Sequence, residues 1–242
     1  MIIKNLGHTF PVDISDRFEA VAGNLHVGHA SAEFYPYSEL KHTWKRSGKT
    51  VTFKISDYLK DAPEEVQDSL AWYLVSKAFM IPSKEERSQK YLAYSRSKAL
   101  WQRKRELYLS RARNLTIEAR GTWRDLRIVF DYVNSNYFSG QLQDPLLAWV
   151  DESPTTRLGY YFEPLNLLAA NRVLDAERVP RYVLEFVVYH ELLHHVDAVS
   201  GKRIVRVHHT KSFREQEREF SSYTDAEKWL NRLVSEFKRS RK

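Results

Sequence analysis

The chain has 242 residues, 43% hydrophobic and 29% charged, enough for one large domain or two small ones with a real core and too apolar for wholesale disorder. It contains no cysteine, which excludes disulfides, cysteine-based zinc ribbons and a thiolate nucleophile. The formal charge is +7, and residues 84–113 hold ten Lys or Arg against three Glu, so this segment alone matches the excess of the whole chain and points to a negatively charged partner.

Residues 1–30 give weak signals. The opening MIIKNLGHTF lacks the apolar core of a secretory signal, and no run reaches the ~18 apolar residues of a membrane span. The expectation is a cytoplasmic chain without a membrane segment. Around 32–56 the pattern reads as strands, with LKHTW and TVTFKI alternating on either side of the turn residues Ser47-Gly48. Pro63 opens a helix, and Val66, Leu70, Tyr73, Leu74 and Ala78 carry it at helical spacing to Met80, before Pro82.

Residues 84–113 have helix-forming composition with neither Gly nor Pro and interleave Tyr91, Tyr94, Trp101 and Tyr108 with cations. Residues 114–138 read as helical, with a stripe of Leu126, Val129, Phe130, Val133 and Tyr137 closed by Gly140. Leu146 to Val150, Leu158 to Phe162 and Leu167 to Asn171 are short strands. Pro180 begins a helix that Ser200-Gly201 ends. Further helices run from Phe213 to Phe220 and from Thr224 to Phe237.

The helix at 180–200 carries the chemistry. It is apolar on all sides, as core helices are, yet it contains His190-Glu191-Leu192-Leu193-His194. His190 and His194 share one face, one turn apart, with Glu191 beside them. Buried imidazoles need partners, and a divalent cation satisfies two of them at once. Zinc takes two such histidines, a third protein ligand and water. It lowers the pKa of that water from about 15.7 toward about 7, and Glu191 is placed to take its proton. Nine His and nineteen Glu would produce roughly 0.03 matches to this H-E-x-x-H pattern by chance. His195 points away from the pair. For the third ligand, His209 is favoured over Glu215, with His208 as a rival. Thr210 follows His209, and Ser212 with Glu215 forms a candidate capping box.

VLEFVVYHELLHH followed by VHHTKSFREQEREF resembles the SprT-like (Spartan-type) zinc metallopeptidases, which follow HExxH with a later histidine and a phenylalanine four positions on, here His209 and Phe213. IVFDYVNSNYFSGQLQDPLLAW and TTRLGYYFEPLNLLAANRVLD resemble the family's opening helix, first strand and strand pair. The resemblance covers roughly 115–225. It implies an α+β, zincin-like fold with a small mixed sheet packed on the active-site helix, one Zn2+, ligands His190, His194 and His209, and Glu191 as the catalytic residue. It also implies a link to DNA, since members degrade proteins crosslinked to DNA. The chain departs from relatives with a C-terminal zinc ribbon, having no cysteine, and its N-terminal ~110 residues are extra.

The expected organisation is an N-terminal strand–helix extension (1–82), a basic helical connector (83–114) and a zincin-like domain with a basic tail (115–242). An edge strand holding Leu158, Gly159, Tyr160 and Tyr161 is expected to bind an extended peptide through its backbone. Arg96, Lys98, Trp101, Arg103, Lys104 and Arg105, with Lys202, Arg203 and Arg206 ahead of His209, are candidates for single-stranded nucleic acid, cations meeting phosphates and aromatics stacking on bases. The rival to that role is a solvated connecting helix whose aromatics pack on the catalytic domain. Two further readings stay open: a nucleic-acid-binding protein with a structural metal site, and a metal-dependent hydrolase of a non-peptide bond.

Overall fold

The computed structural model describes residues 13–82, 85–112, 114–199 and 210–239. Within them lie eight α-helices and two small mixed sheets, an α+β chain. It divides into two units, Met1–Ala112 and Arg113–Lys242. No described helix is long and apolar enough to cross a membrane.

The first described element of this unit is a helix the sequence pattern did not reveal, α1 (Ile14–Asn24), capped by Asp13. Three strands follow: β1 (His29–Tyr35), β2 (His42–Ser47) and β3 (Thr50–Ser56). Their order is β1-β3-β2, with β1 parallel to β3 and β2 antiparallel to it. The 42–56 hairpin turns at Gly48, whose φ of 60° suits a residue without Cβ. Alternation sends Val51, Phe53 and Ile55 inward, where they meet Phe18 of α1 and Leu70 and Leu74 of α2 (Glu64–Ala78).

The described part of the basic segment groups with this first unit. It forms two helices, α3 (Glu85–Ser95) and α4 (Lys98–Arg111), broken where Ser97 caps α4 by accepting the Leu100 N–H. Ser69 of α2 fastens α3, donating to the Arg87 carbonyl and accepting the Tyr91 N–H. On α4, Arg111 grips both oxygens of Asp57 at 2.6 and 2.7 Å, and Lys104 pairs with Asp61 at 2.6 Å.

The second unit carries β4 (Leu115–Thr116), α5 (Leu126–Tyr137), β5 (Leu146–Val150), β6 (Gly159–Phe162), β7 (Leu167–Asn171), α6 (Arg181–Val199), α7 (Lys211–Glu217) and α8 (Tyr223–Arg239). The expectation of helix throughout 114–138 holds only from Leu126 onward. Before it, the backbone N–H groups of Thr122, Trp123 and Arg124 converge on the Asp175 carboxylate, a long-range tie invisible to local periodicity. The sheet order is β4-β5-β7-β6, with β5 parallel to β7 and the other pairs antiparallel. Leu126, Phe130 and Val133 of α5, Trp149 of β5, Leu168 of β7 and Val183, Leu184, Val188 and Leu192 of α6 form one core. α6 is buried on nearly every side, and β6 is left as the sheet edge beside it.

Candidate metal centre

His190 and His194 sit on α6 one turn apart, and their Nε2 atoms converge to 3.2 Å. Two nitrogens each about 2.0–2.1 Å from one tetrahedral zinc would lie about 3.3 Å apart, so the pair fits such an ion without rearrangement. The described residues contain no group of three His, Asp or Glu able to hold a metal. His209, His208, Lys202, Arg203 and Arg206 all lie outside the described residues, so the expected third ligand and the basic loop belong to that segment.

The other proposed third ligand is placed elsewhere. Glu215 has a side chain 59% exposed and an ion pair with Lys211 at 3.9 Å, and it is absent from the cleft walls. The expected Ser212–Glu215 capping box is also replaced. Thr210 caps α7, accepting the Phe213 N–H at 3.1 Å, because the helix begins two residues earlier than the box requires.

Starting at Thr210 sets which α7 side chains reach the imidazoles. Phe213, only 2% exposed, stacks on His194 with ring centroids 4.5 Å apart and meets the edge of His190 at 5.2 Å. One turn later, Glu217 Oε1 lies 2.7 Å from His190 Nδ1. A carboxylate there favours the tautomer with a proton on Nδ1, leaving the Nε2 lone pair facing His194. Burial opposes a charge on His190, but the Glu217 hydrogen bond and the charges of Glu191 and Glu217 outweigh it and raise its pKa. Sequence reasoning weighed Glu215 and passed over Glu217. The i,i+4 spacing of Phe213 and Glu217 was the available signal, and the cap position was needed to read it.

Glu191 faces the same space. Burial raises its carboxyl pKa, against the opposing pull of His190, Arg157 and the Tyr161 backbone N–H. Arg157 also lies over the Tyr160 ring at 4.9 Å. Nothing in the sequence marked it, since an arginine before a strand carries no periodic signal. His195 packs on Tyr161 with ring centroids 4.6 Å apart.

The site opens into a cleft of about 750 Å³. One wall is β6 with Arg157 and Leu158; the other includes Glu227, Leu230, Asn231 and Val234 of α8; His190, Glu191, His194 and Glu217 line it between them. All four expected substrate-contact residues, Leu158, Gly159, Tyr160 and Tyr161, face this cleft. The strand itself starts at Gly159, and Leu158 contributes a carbonyl to Asn171 N–H at 2.9 Å. Gly159 permits the close approach of β6 to α6. A Cβ there would stand 2.9 Å from Val187 Cγ1, 3.1 Å from the Ala169 carbonyl and 3.2 Å from Glu191 Cγ.

Of the candidate nucleic-acid residues, Arg96, Lys98, Trp101, Arg103, Lys104 and Arg105 belong to the first unit. Trp101 is 4% exposed, donates its indole N–H to the Ser95 carbonyl and packs on Tyr58, so it is a core residue of the first unit and not a stacking platform. Tyr91 is likewise buried. Trp101 and Tyr91 therefore pack within the first unit. Lys104 is engaged with Asp61, and Arg103 lies against Tyr94. Arg96, Lys98, Arg103 and Arg105 are exposed. Comparison with protein-family models, curated proteins and solved structures finds no match for this chain.

Proposed function

We propose that the second unit is a zincin-like, SprT-like endopeptidase and that the chain is a cytoplasmic zinc metallopeptidase. The observation carrying this reading is the convergence of two helix-borne imidazoles, beside a half-buried glutamate, in a cleft walled by a strand of the sheet. His190 and His194 would hold the zinc, with His209 as third ligand on the strength of the resemblance. Bound there, the metal would supply Lewis-acid polarisation and acidify water.

The chain's own residues do the rest. Glu191 sits where burial raises its proton affinity, as suits a group that accepts a proton from attacking water and hands it to the departing amine. Among the described residues β6 is the last strand of its sheet, and sheet edges take extended peptides by backbone hydrogen bonds. Tyr160→Pro should therefore impair cleavage without loss of zinc, and full activity in that variant would sink the strand's role. A structural zinc is normally enclosed by four protein ligands; an imidazole pair lining a cleft supports catalysis instead. Action on DNA-associated proteins remains part of the proposal, supported by the resemblance and by the exposed Arg96, Lys98, Arg103 and Arg105, but no longer by Trp101.

The deciding experiment incubates zinc-loaded protein with a basic DNA-binding protein, with and without single-stranded DNA, beside a Glu191→Gln control. Cleavage should fall about 10²–10⁴-fold in the control with zinc still bound. Equal cleavage by both proteins, or none by the zinc-loaded wild type on any protein substrate, would refute the peptidase. Equal cleavage with and without DNA would remove the nucleic-acid part alone.

A further inference from the structure

We propose that α7 is a two-point clamp that presets the metal-binding imidazoles, with Glu217 as the positioning residue for His190. The inference rests on the metal-site reading above and extends it to a residue outside the HExxH pattern.

Ring contacts and hydrogen bonds tie this short helix to α6. Phe213 stacks on His194, the Tyr189 hydroxyl donates to the Gln216 carbonyl at 2.6 Å, and Glu217 meets His190 Nδ1 at 2.7 Å. Phe213 and Glu217 are four residues apart and so project from one face of α7. Each imidazole is thereby held by a different kind of contact: His194 by a ring face, His190 by a charge-assisted hydrogen bond. The Glu217 side chain is 14% exposed, so the bond is shielded from water and keeps more of its strength than an exposed pair would.

The geometry also says what Glu217 is not. It approaches Nδ1 of His190, whereas Nε2 of the same ring faces His194. The two nitrogens lie on different edges of the ring, so Glu217 acts through His190 and not as a ligand of the same ion. Its effect is to fix the ring angle, hold the proton on Nδ1 and make Nε2 a better donor. Outer partners of this kind typically contribute about 10–100-fold to metal affinity. Glu215, two residues earlier and exposed on the same helix, supplies an internal control.

The test measures zinc affinity of the full chain by chelator competition for wild type, Glu217→Ala, Glu217→Gln and Glu215→Gln, alongside thermal melts of the metal-free proteins. Glu217→Ala should bind zinc about 10–100-fold more weakly. Glu217→Gln, which keeps an acceptor oxygen but not the charge, should fall in between, and Glu215→Gln should match wild type. At saturating cobalt(II), both Glu217 variants should keep the wild-type visible absorption envelope, since the ligands are unchanged. Unaltered zinc affinity in both Glu217 variants would overturn the clamp, even if their melting points dropped, because the contact would then be packing alone. A changed cobalt envelope would make Glu217 a ligand and overturn the positioning role. If Glu217→Ala does not fold, the Glu217→Gln affinity and envelope decide. Wild type that binds no zinc would fail differently, removing the metal centre itself along with the clamp.

Discussion

Each unit encloses a histidine, and the two are treated in opposite ways. In the first unit, His42 Nδ1 accepts the Ser56 N–H at 3.2 Å and Nε2 lies 3.0 Å from the Tyr91 hydroxyl. Both ring nitrogens are engaged by neutral groups, and burial, with the Lys77 charge adding to it, pushes the pKa down to about 4. In the second unit, His190 has a carboxylate on one nitrogen and turns the other toward His194 in an open cleft. Burial by itself therefore does not mark a functional histidine. The partners do: a histidine satisfied at both nitrogens by the fold is structural, and one with a nitrogen aimed at another donor in a cleft is available for chemistry.

The sharpest way to break this comparison is to delete a ring on each side. His194→Ala should weaken zinc binding by more than the about 100-fold upper range of an outer-partner loss, measured by chelator competition. His42→Ala should leave the zinc affinity of the folded protein unchanged. A loss of zinc affinity in the His42 variant would erase the distinction.

Acid provides the next test. Because His42 has a lower pKa folded than unfolded, the unfolded chain binds more protons between the two values. Its contribution is intact above about pH 6.5 and is lost as pH falls toward about 4, at most about 3 kcal/mol in all. Hydrogen exchange of the β3 amides, corrected for intrinsic rates, should report falling stability over that window. A His42→Leu variant, weaker at neutral pH, should lack this slope.

A smaller effect is expected at the cleft wall. Gly159→Ala forces Val187 or the edge strand to yield, at a cost of about 1–3 kcal/mol, and should shift the thermal melt of the second unit while displacing β6 from Glu191. The smallest concerns the neutral partner of His42. Tyr91→Phe removes one buried hydrogen bond and should cost about 1–2 kcal/mol in chemical denaturation, without altering zinc binding.

Much of the site was legible in the sequence because it is built from a local period. An α-helix repeats every 3.6 residues, so the HExxH spacing by itself puts His190, Glu191 and His194 on one side of α6. The same holds for the alternating strands of the 42–56 hairpin and for the Leu126–Tyr137 stripe. The misreadings had non-local causes. The basic, aromatic-interleaved stretch 84–113 that reads as a nucleic-acid stripe includes Trp101 and Tyr91, whose burial depends on residues far away in sequence, among them Tyr58 and Tyr73. α1 is held by Phe18 packing on Phe53 and by Glu19 reaching Ala30 N–H at 2.7 Å, contacts that no window around residue 18 contains.

Sequence alone thus determined the imidazole pair, the glutamate beside it and the α+β alternation of elements, since each is fixed by backbone geometry within a few residues. Tertiary structure decided that β6 comes last in its sheet among the described residues, that Arg157 and the α8 side chains wall the cleft, and that Thr210, by starting α7, delivers Phe213 and Glu217 to the two rings. These depend on strand order and helix docking, which are set by burial summed over distant residues and leave no periodic trace in the segments they bring together.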